Sequence, residues 1–115
     1  MATGADLDRV FQALSDPTRR AVVERLAKGP ASTSELATPF AMALPSFTQH
    51  LDVLVAAALV ESTKQGRVRT YRLAPTPLVG ASDWLATQRS LWDRRLDQLD
   101  DHLLELARAD KENLR

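Results

Sequence analysis

Few side chains in this sequence have the means to do covalent or redox chemistry. There are two histidines, His50 and His102, and no cysteine. Without cysteine there is no thiolate nucleophile, no disulfide and no sulfur ligand for a metal. His50 could act as a general base, but no nucleophile stands at an activating spacing and no glycine-rich phosphate loop accompanies it. Asp100 and Asp101 are neighbours in a helical pattern, so their carboxylates diverge instead of converging on one substrate. His102, between Asp100 and Glu105, reads as the edge of a solvated helix face. Trp84 and Trp92 read as packing residues ahead of walls for a ligand pocket. The expectation is a protein that is not an enzyme and holds no metal or other cofactor.

What remains is recognition chemistry. In "LPSFTQHLDVLVAAALV", residues 44–60, the polar side chains Ser46, Thr48, Gln49 and His50 are spaced along a helical pattern. Phe47, Leu51, Leu54, Val55 and Ala58 fall on one face of that helix and are expected in the core. Ser46, Gln49 and Val53 then point away, with Thr48 and His50 on the flanks. Small hydroxyls and a carboxamide can donate to and accept from base edges. Further on, residues 61–75 carry Lys64, Arg67, Arg69 and Arg72 against one acid, Glu61. A short basic segment on a chain of zero net charge is a candidate polyanion contact.

The elements that must position these groups follow from the punctuation. With 115 residues, 44% hydrophobic and 26% charged, the chain has the size of one domain and an ordinary globular composition. Leu7, Val10, Phe11 and Leu14 recur at helical spacing over residues 7–14. Asp16 as N-cap and Pro17 at the first helical position open a second helix, closed by Gly29-Pro30. Ser32 followed by Glu35 is capping-box spacing and opens a short helix, which Pro39 limits. After a turn at residues 41–44, Pro45 starts the helix at 45–57. A short helix, a turn and a second helix with a polar outer face make a helix-turn-helix. In that motif the second helix enters the DNA major groove.

The stretch "ESTKQGRVRTYRL" is rich in β-formers around a Gln65-Gly66 turn, which predicts a hairpin, or wing, at 60–73. With those two residues as the loop, Lys64 pairs with Arg67 and Val60 with Tyr71. Arg67, Arg69, Tyr71 and Leu73 then share a face. Pro75 and Pro77 stop the strand, and a long helix is expected over about 77–110. Leu78, Leu85, Trp92, Leu99 and Leu106 recur every seven residues in it, joined by Leu96 and Leu103. Such a stripe, sustained over about four heptads, suits packing on a partner helix. The fold class expected is mainly α with a small β-hairpin. It is a winged helix-turn-helix whose DNA-binding core spans about 6–75, followed by a dimerisation helix, all in one domain.

These segments resemble the ArsR family of winged helix-turn-helix repressors, in the branch that lacks thiolate metal sites. The likeness is carried by "FQALSDPTRRAVVERLAKGPASTSELA", "LPSFTQHLDVLVAAALV" and "GRVRTYRL" in that order, and extends to "WLATQRSLWDRRLDQLDDHL". It implies a homodimer built from the first and last helices, with Val10, Leu85, Trp92, Leu96, Leu99 and Leu103 at the interface. It also implies DNA contacts from Ser46, Thr48, Gln49 and His50 on the recognition helix and from Lys64, Arg67 and Arg69 on the wing. His50 would contact phosphate or hold the helix. The family's cysteine motif is absent, and its last-helix metal site needs a second histidine that this sequence lacks. Asp52 stands where the family usually has a basic residue. Ala58 replaces the family's glycine, so a left-handed helix end there would cost about 1 kcal/mol.

The expected partners are therefore double-stranded DNA and a second copy of the chain. No membrane partner is expected: no apolar run long enough to span a bilayer and no signal-like amino terminus is present, which fits a cytoplasmic protein. The pattern leaves room for a small-molecule effector without identifying one. The alternative is a winged-helix protein-interaction dimer that does not bind DNA, favoured by Asp52 and the zero net charge. Arg19 and Arg20 are expected to pair with acids and cap local structure.

Overall fold

Three helices open on a side chain that takes up an orphan backbone N–H. In the computed structural model of the chain, which describes residues 3–113, α1 is Gly4–Ala13, three residues ahead of the expected start. The reason is a capping box. Thr3 Oγ1 accepts from the Asp6 N–H at 3.1 Å, and the Asp6 carboxylate accepts from the Thr3 N–H at 3.2 Å. Helix α2, Pro17–Leu26, begins as expected, with Asp16 accepting from the Arg19 N–H at 3.0 Å. A two-residue strand β1, Ala31–Ser32, precedes α3, Thr33–Ala37, where Ser32 and Glu35 form the expected capping box. Helix α4 is Leu44–Ala56, with Pro45 in its first turn.

Two strands and a long helix complete the chain: β2 (Val60–Gln65), β3 (Val68–Leu73) and α5 (Pro75–Asn113). Pro75 and Pro77 do not precede α5 but lie in its first turn. The first N–H groups of a helix have no intrahelical partner, so proline forfeits nothing there. The sheet order is β1-β3-β2, all antiparallel. The pairing β1–β3, through Ala31↔Tyr71 and Ser32↔Thr70, is not expected from the sequence. Two residues are too short a run to show a strand pattern.

The hairpin register also departs from expectation. Lys64 pairs with Arg69, not Arg67, and Val60 with Leu73, not Tyr71. The loop is Gly66-Arg67, since Gln65 pairs with Val68. Gly66 has φ +62° and Arg67 is not in the left-handed region. Glycine at the first loop position alone is the requirement of a type II′ turn, whose twist matches the strands. Gly66 thus moves from second to first place in the loop. Arg67 leaves the strand and becomes part of the turn.

The chain divides between Ala81 and Ser82 into two compact units. The core belongs to the first. Phe47, Leu51 and Leu54 of α4 are fully buried, packed with Val10, Val22, Leu36 and Leu59 among others. The Phe40 and Phe47 rings stack with centroids 5.3 Å apart. Tyr71 and Val60 fill the sheet side. Two members expected in this core differ: Val55 and Ala58 are exposed, and Ala57 takes the place on the buried face. In the second unit, Leu85, Leu91, Trp92, Leu96, Leu99, Leu103 and Leu106 are about half exposed. Among the described residues no helix is long and apolar enough to cross a membrane.

Ala58 ends α4 in the left-handed region, with φ 59°. The Leu59 N–H bonds the Leu54 carbonyl at 3.1 Å and the Ala58 N–H the Val55 carbonyl at 2.9 Å. This pair of bonds is the Schellman motif, and it places buried Leu59 just past the turn. The helix therefore ends the way a glycine would end it, with the Cβ strain retained. Ala58→Gly should stabilise the fold by about 1 kcal/mol, read as a higher urea midpoint at unchanged slope. A lower midpoint would show that the added chain entropy of glycine outweighs the strain.

Candidate nucleic-acid interface

Burial of one side of α4 dictates what the other side offers. Ser46 and Gln49 are exposed, while Thr48 and His50 on the flanks are half-buried. Thr48 Oγ1 donates to the Leu44 carbonyl at 2.8 Å, so its hydroxyl hydrogen is taken and only its lone pairs face outward. Gln49 has no hydrogen-bond partner among the described residues, leaving both its donors and its acceptor available. Asp52, one turn on from Gln49, is also exposed.

The hairpin supplies the second group of candidate residues. Lys64, Arg67 and Arg69 are exposed, Lys64 and Arg69 opposite each other in the ladder and Arg67 at the tip. Arg69 Nη1 donates to Ser62 Oγ at 2.9 Å and Arg72 Nη2 to Thr63 Oγ1 at 3.2 Å. By strand alternation Arg72 lies on the other face, opposite Glu61. So three of the four cations belong to the tip and to the face shared with Tyr71.

His50 is tied to a junction that sequence spacing could not show. Arg19, in the first turn of α2, folds its side chain back on α1. Its Nε donates to the Ala13 carbonyl at 2.7 Å and its Nη2 to the Gln12 carbonyl at 3.2 Å, both at the C-terminal end of that helix. Its Nη1 reaches His50 Nδ1 at 3.1 Å. Asp16 Oδ2 lies 3.6 Å from the same nitrogen, too far for a hydrogen bond. Arg20 likewise bonds the Leu14 carbonyl at 2.8 Å. Both arginine side chains cap α1, and among the described residues neither forms an ion pair with an acid.

The other expected positions separate. Val10, expected between two chains, is 2% exposed and enclosed in the core of its own chain. Leu85, Trp92, Leu96, Leu99 and Leu103 remain about half exposed on α5. Asp100, His102 and Glu105 are exposed on the same helix, and among the described residues no three potential ligands are placed to hold a metal ion.

A short helix, a turn, a second helix with a buried inner and polar outer face, and a basic hairpin define a winged helix-turn-helix. Known proteins agree. A family model described as a helix-turn-helix domain matches residues 14–63. The HTH-type transcriptional regulator Rv2034 of Mycobacterium tuberculosis is 49% identical over 78 residues, 68% of this chain and 73% of that protein. The transcriptional repressor SdpR of Bacillus subtilis is 32% identical over 79 residues, 69% of this chain and 88% of its own. The crystal structure of the ArsR family transcriptional regulator RHA00566 superposes with a TM-score of 0.76 at 50% identity, over 81% of this chain and 97% of that one. The chain belongs to the ArsR family and is a DNA-binding transcriptional regulator.

The backbone N–H of Arg19 on the Asp16 carboxylate is the main reason that acid sits below its ordinary 3.8, with burial opposing and His50 and Arg19 assisting. A carboxylate whose folded value is depressed stabilises the fold fully above the ordinary value and loses that contribution as pH falls through the folded one. Asp16→Ala should therefore cost about 1 kcal/mol near neutrality. The gap to wild type should narrow as the pH is taken below 3.8. Urea unfolding at neutral and acid pH measures both, with Asp16→Asn as a cap that does not titrate. A gap independent of pH would mean that the ionised carboxylate contributes nothing beyond its shape.

Proposed function

We propose that the protein is a homodimeric repressor that reads operator DNA with α4 in the major groove and grips the flanking phosphates with its wing. One observation carries the reading: a helix whose inner residues Phe47, Leu51 and Leu54 are fully buried turns Ser46 and Gln49 outward, beside a basic hairpin. Thr48 supplies acceptor lone pairs at the edge of that face. Lys64, Arg67 and Arg69 offer charge-assisted bonds to phosphate, which position the protein without reading sequence. Repression is the activity carried by the name of SdpR, and it comes to this chain as part of the proposal.

The dimer rests on α5. Burying each half-exposed apolar side chain of its stripe is worth on the order of 1 kcal/mol. Five such positions, Leu85, Trp92, Leu96, Leu99 and Leu103, supply a seam long enough to hold two chains together. Two copies present two recognition helices, which suits an operator with two half-sites. The exposed Asp52 favours the second reading, a protein-interaction dimer, because an acid on this helix repels phosphate.

Binding measurements on a duplex enriched from random-sequence DNA by the wild-type protein decide between the two. Gln49→Ala should cost about 1–3 kcal/mol on that duplex and little on random DNA. Equal losses on both would give Gln49 a positioning role, and no loss would move the reading surface elsewhere. On the wing, Lys64→Ala or Arg69→Ala should weaken binding to all duplexes alike. If each contacts one phosphate per protomer, the slope of log affinity against log salt should fall by roughly 2 for the dimer. Unchanged slopes would leave the hairpin without a role on DNA and favour the protein-interaction dimer. Trp92→Glu should give a monomer or an unfolded chain by sedimentation, and a stable dimer would remove α5 from the interface.

A further inference from the structure

The junction at Arg19 contains more fixed geometry than a helix cap requires. A guanidinium has five N–H donors and no acceptor. Its contact with His50 at 3.1 Å therefore makes Nδ1 the acceptor, and the ring hydrogen belongs on Nε2. A hydrogen on Nδ1 would face the Arg19 donor, and the Asp16 Oδ2 acceptor is 3.6 Å away, beyond hydrogen-bond distance. Arg19 itself cannot swing aside freely. Its Nε and Nη2 are bonded to two carbonyls of α1, and its backbone N–H to Asp16. The neutral His50 ring is thus held in one tautomer and one orientation by a group anchored on a different helix.

The far side of the ring is available. Nε2 has no hydrogen-bond partner among the described residues and is not a sealed atom, since no buried side-chain nitrogen or oxygen there lacks a partner; the His50 side chain keeps 24% of its surface exposed. His50 lies one helical turn from exposed Ser46, on the flank of the outward face of α4. A donor at the flank of a helix in the major groove meets the sugar-phosphate wall, while the central side chains meet the bases.

We infer that Arg19 is a positioning residue for DNA binding: it holds the His50 imidazole with its hydrogen on Nε2, aimed to donate to a backbone phosphate oxygen. The inference rests on the DNA-reading role of α4 proposed above. It assigns to the Asp-Pro-Thr-Arg turn, residues 16–19, a function that its own contacts with α1 do not reveal. A lysine could still bond one α1 carbonyl, but it lacks the planar fork that serves three acceptors at once.

Arg19→Lys, His50→Ala and the double variant test it, all made in a His102→Gln background so that one imidazole remains. Two-bond proton–nitrogen NMR correlations of the free protein should show the hydrogen on Nε2 while Arg19 is present. After the Arg19→Lys change they should show a mixture of tautomers. Thermal unfolding should show Arg19→Lys folded. Affinity for the enriched duplex and for random DNA should fall together, by about tenfold for loss of one hydrogen bond per site. In the His50→Ala background Arg19→Lys should add almost nothing, because both changes remove the same contact. The inference is overturned if Arg19→Lys keeps the single tautomer and wild-type affinity. It is equally overturned if Arg19→Lys weakens binding as much without His50 as with it, which is the signature of a structural role alone. Absence of DNA binding by the wild-type protein would instead overturn the DNA-reading role, and the NMR result would still report whether Arg19 fixes the ring.

Discussion

The rotation of α4 about its own axis is the constraint on which the rest of the structure depends. Phe47, Leu51 and Leu54 have no exposed surface. A helix that must bury those three cannot turn without placing a polar side chain in the core, where it would lack a partner. Once they are seated, the direction of Ser46 and Gln49 follows from a rotation of about 100° per residue. The Schellman end at Ala58 then delivers Leu59 and Val60 into the same core and starts β2 at a fixed point. Helix orientation, helix end and wing origin are thus one packing decision.

A second set of bonds fastens the chain around that decision. Side-chain caps at Thr3, Asp16 and Ser32 satisfy helix starts, and arginines satisfy the end of α1. The carboxylates of Asp6 and Glu35 are held below their ordinary values chiefly by the backbone N–H groups of Thr3 and Ser32. These are local bonds, each joining residues three to seven apart. The Arg19–His50 contact is different in kind, since it spans 31 residues and joins the first helix turn of α2 to α4.

That difference also separates what is legible in the sequence from what is not. Caps are written in adjacent residues, so Asp16-Pro17 and Ser32 with Glu35 can be read directly. The inner face of α4 can be read from the spacing of Phe47, Leu51 and Leu54. Val55 differs from expectation because it lies at the margin of that face, and Ala58 because the helix has already ended there, in the left-handed region. The hairpin register is displaced by one residue on each strand, because Gly66 suits either loop position and only its backbone angle distinguishes them. Val10 has the periodicity of a core or an interface residue alike. The exposed stripe of α5 is legible because it repeats. The contacts of Arg19 are not, because its side chain joins the end of α1 to His50, which is 31 residues further along the chain.

The hairpin register sets two like charges against each other at the wing's end. Lys64 and Arg69 are directly opposite, an arrangement that disfavours the ladder because like charges face each other. Arg69 relieves part of this by leaning toward Ser62. The hairpin end is therefore locally frustrated in the free chain, and an anion between the two cations would resolve it. Salt then acts in opposite directions: it screens the repulsion and firms the isolated wing, while it weakens the wing's hold on a polyanion. Rigidity of this segment and its grip on a partner are therefore expected to change in opposite directions as ionic strength rises.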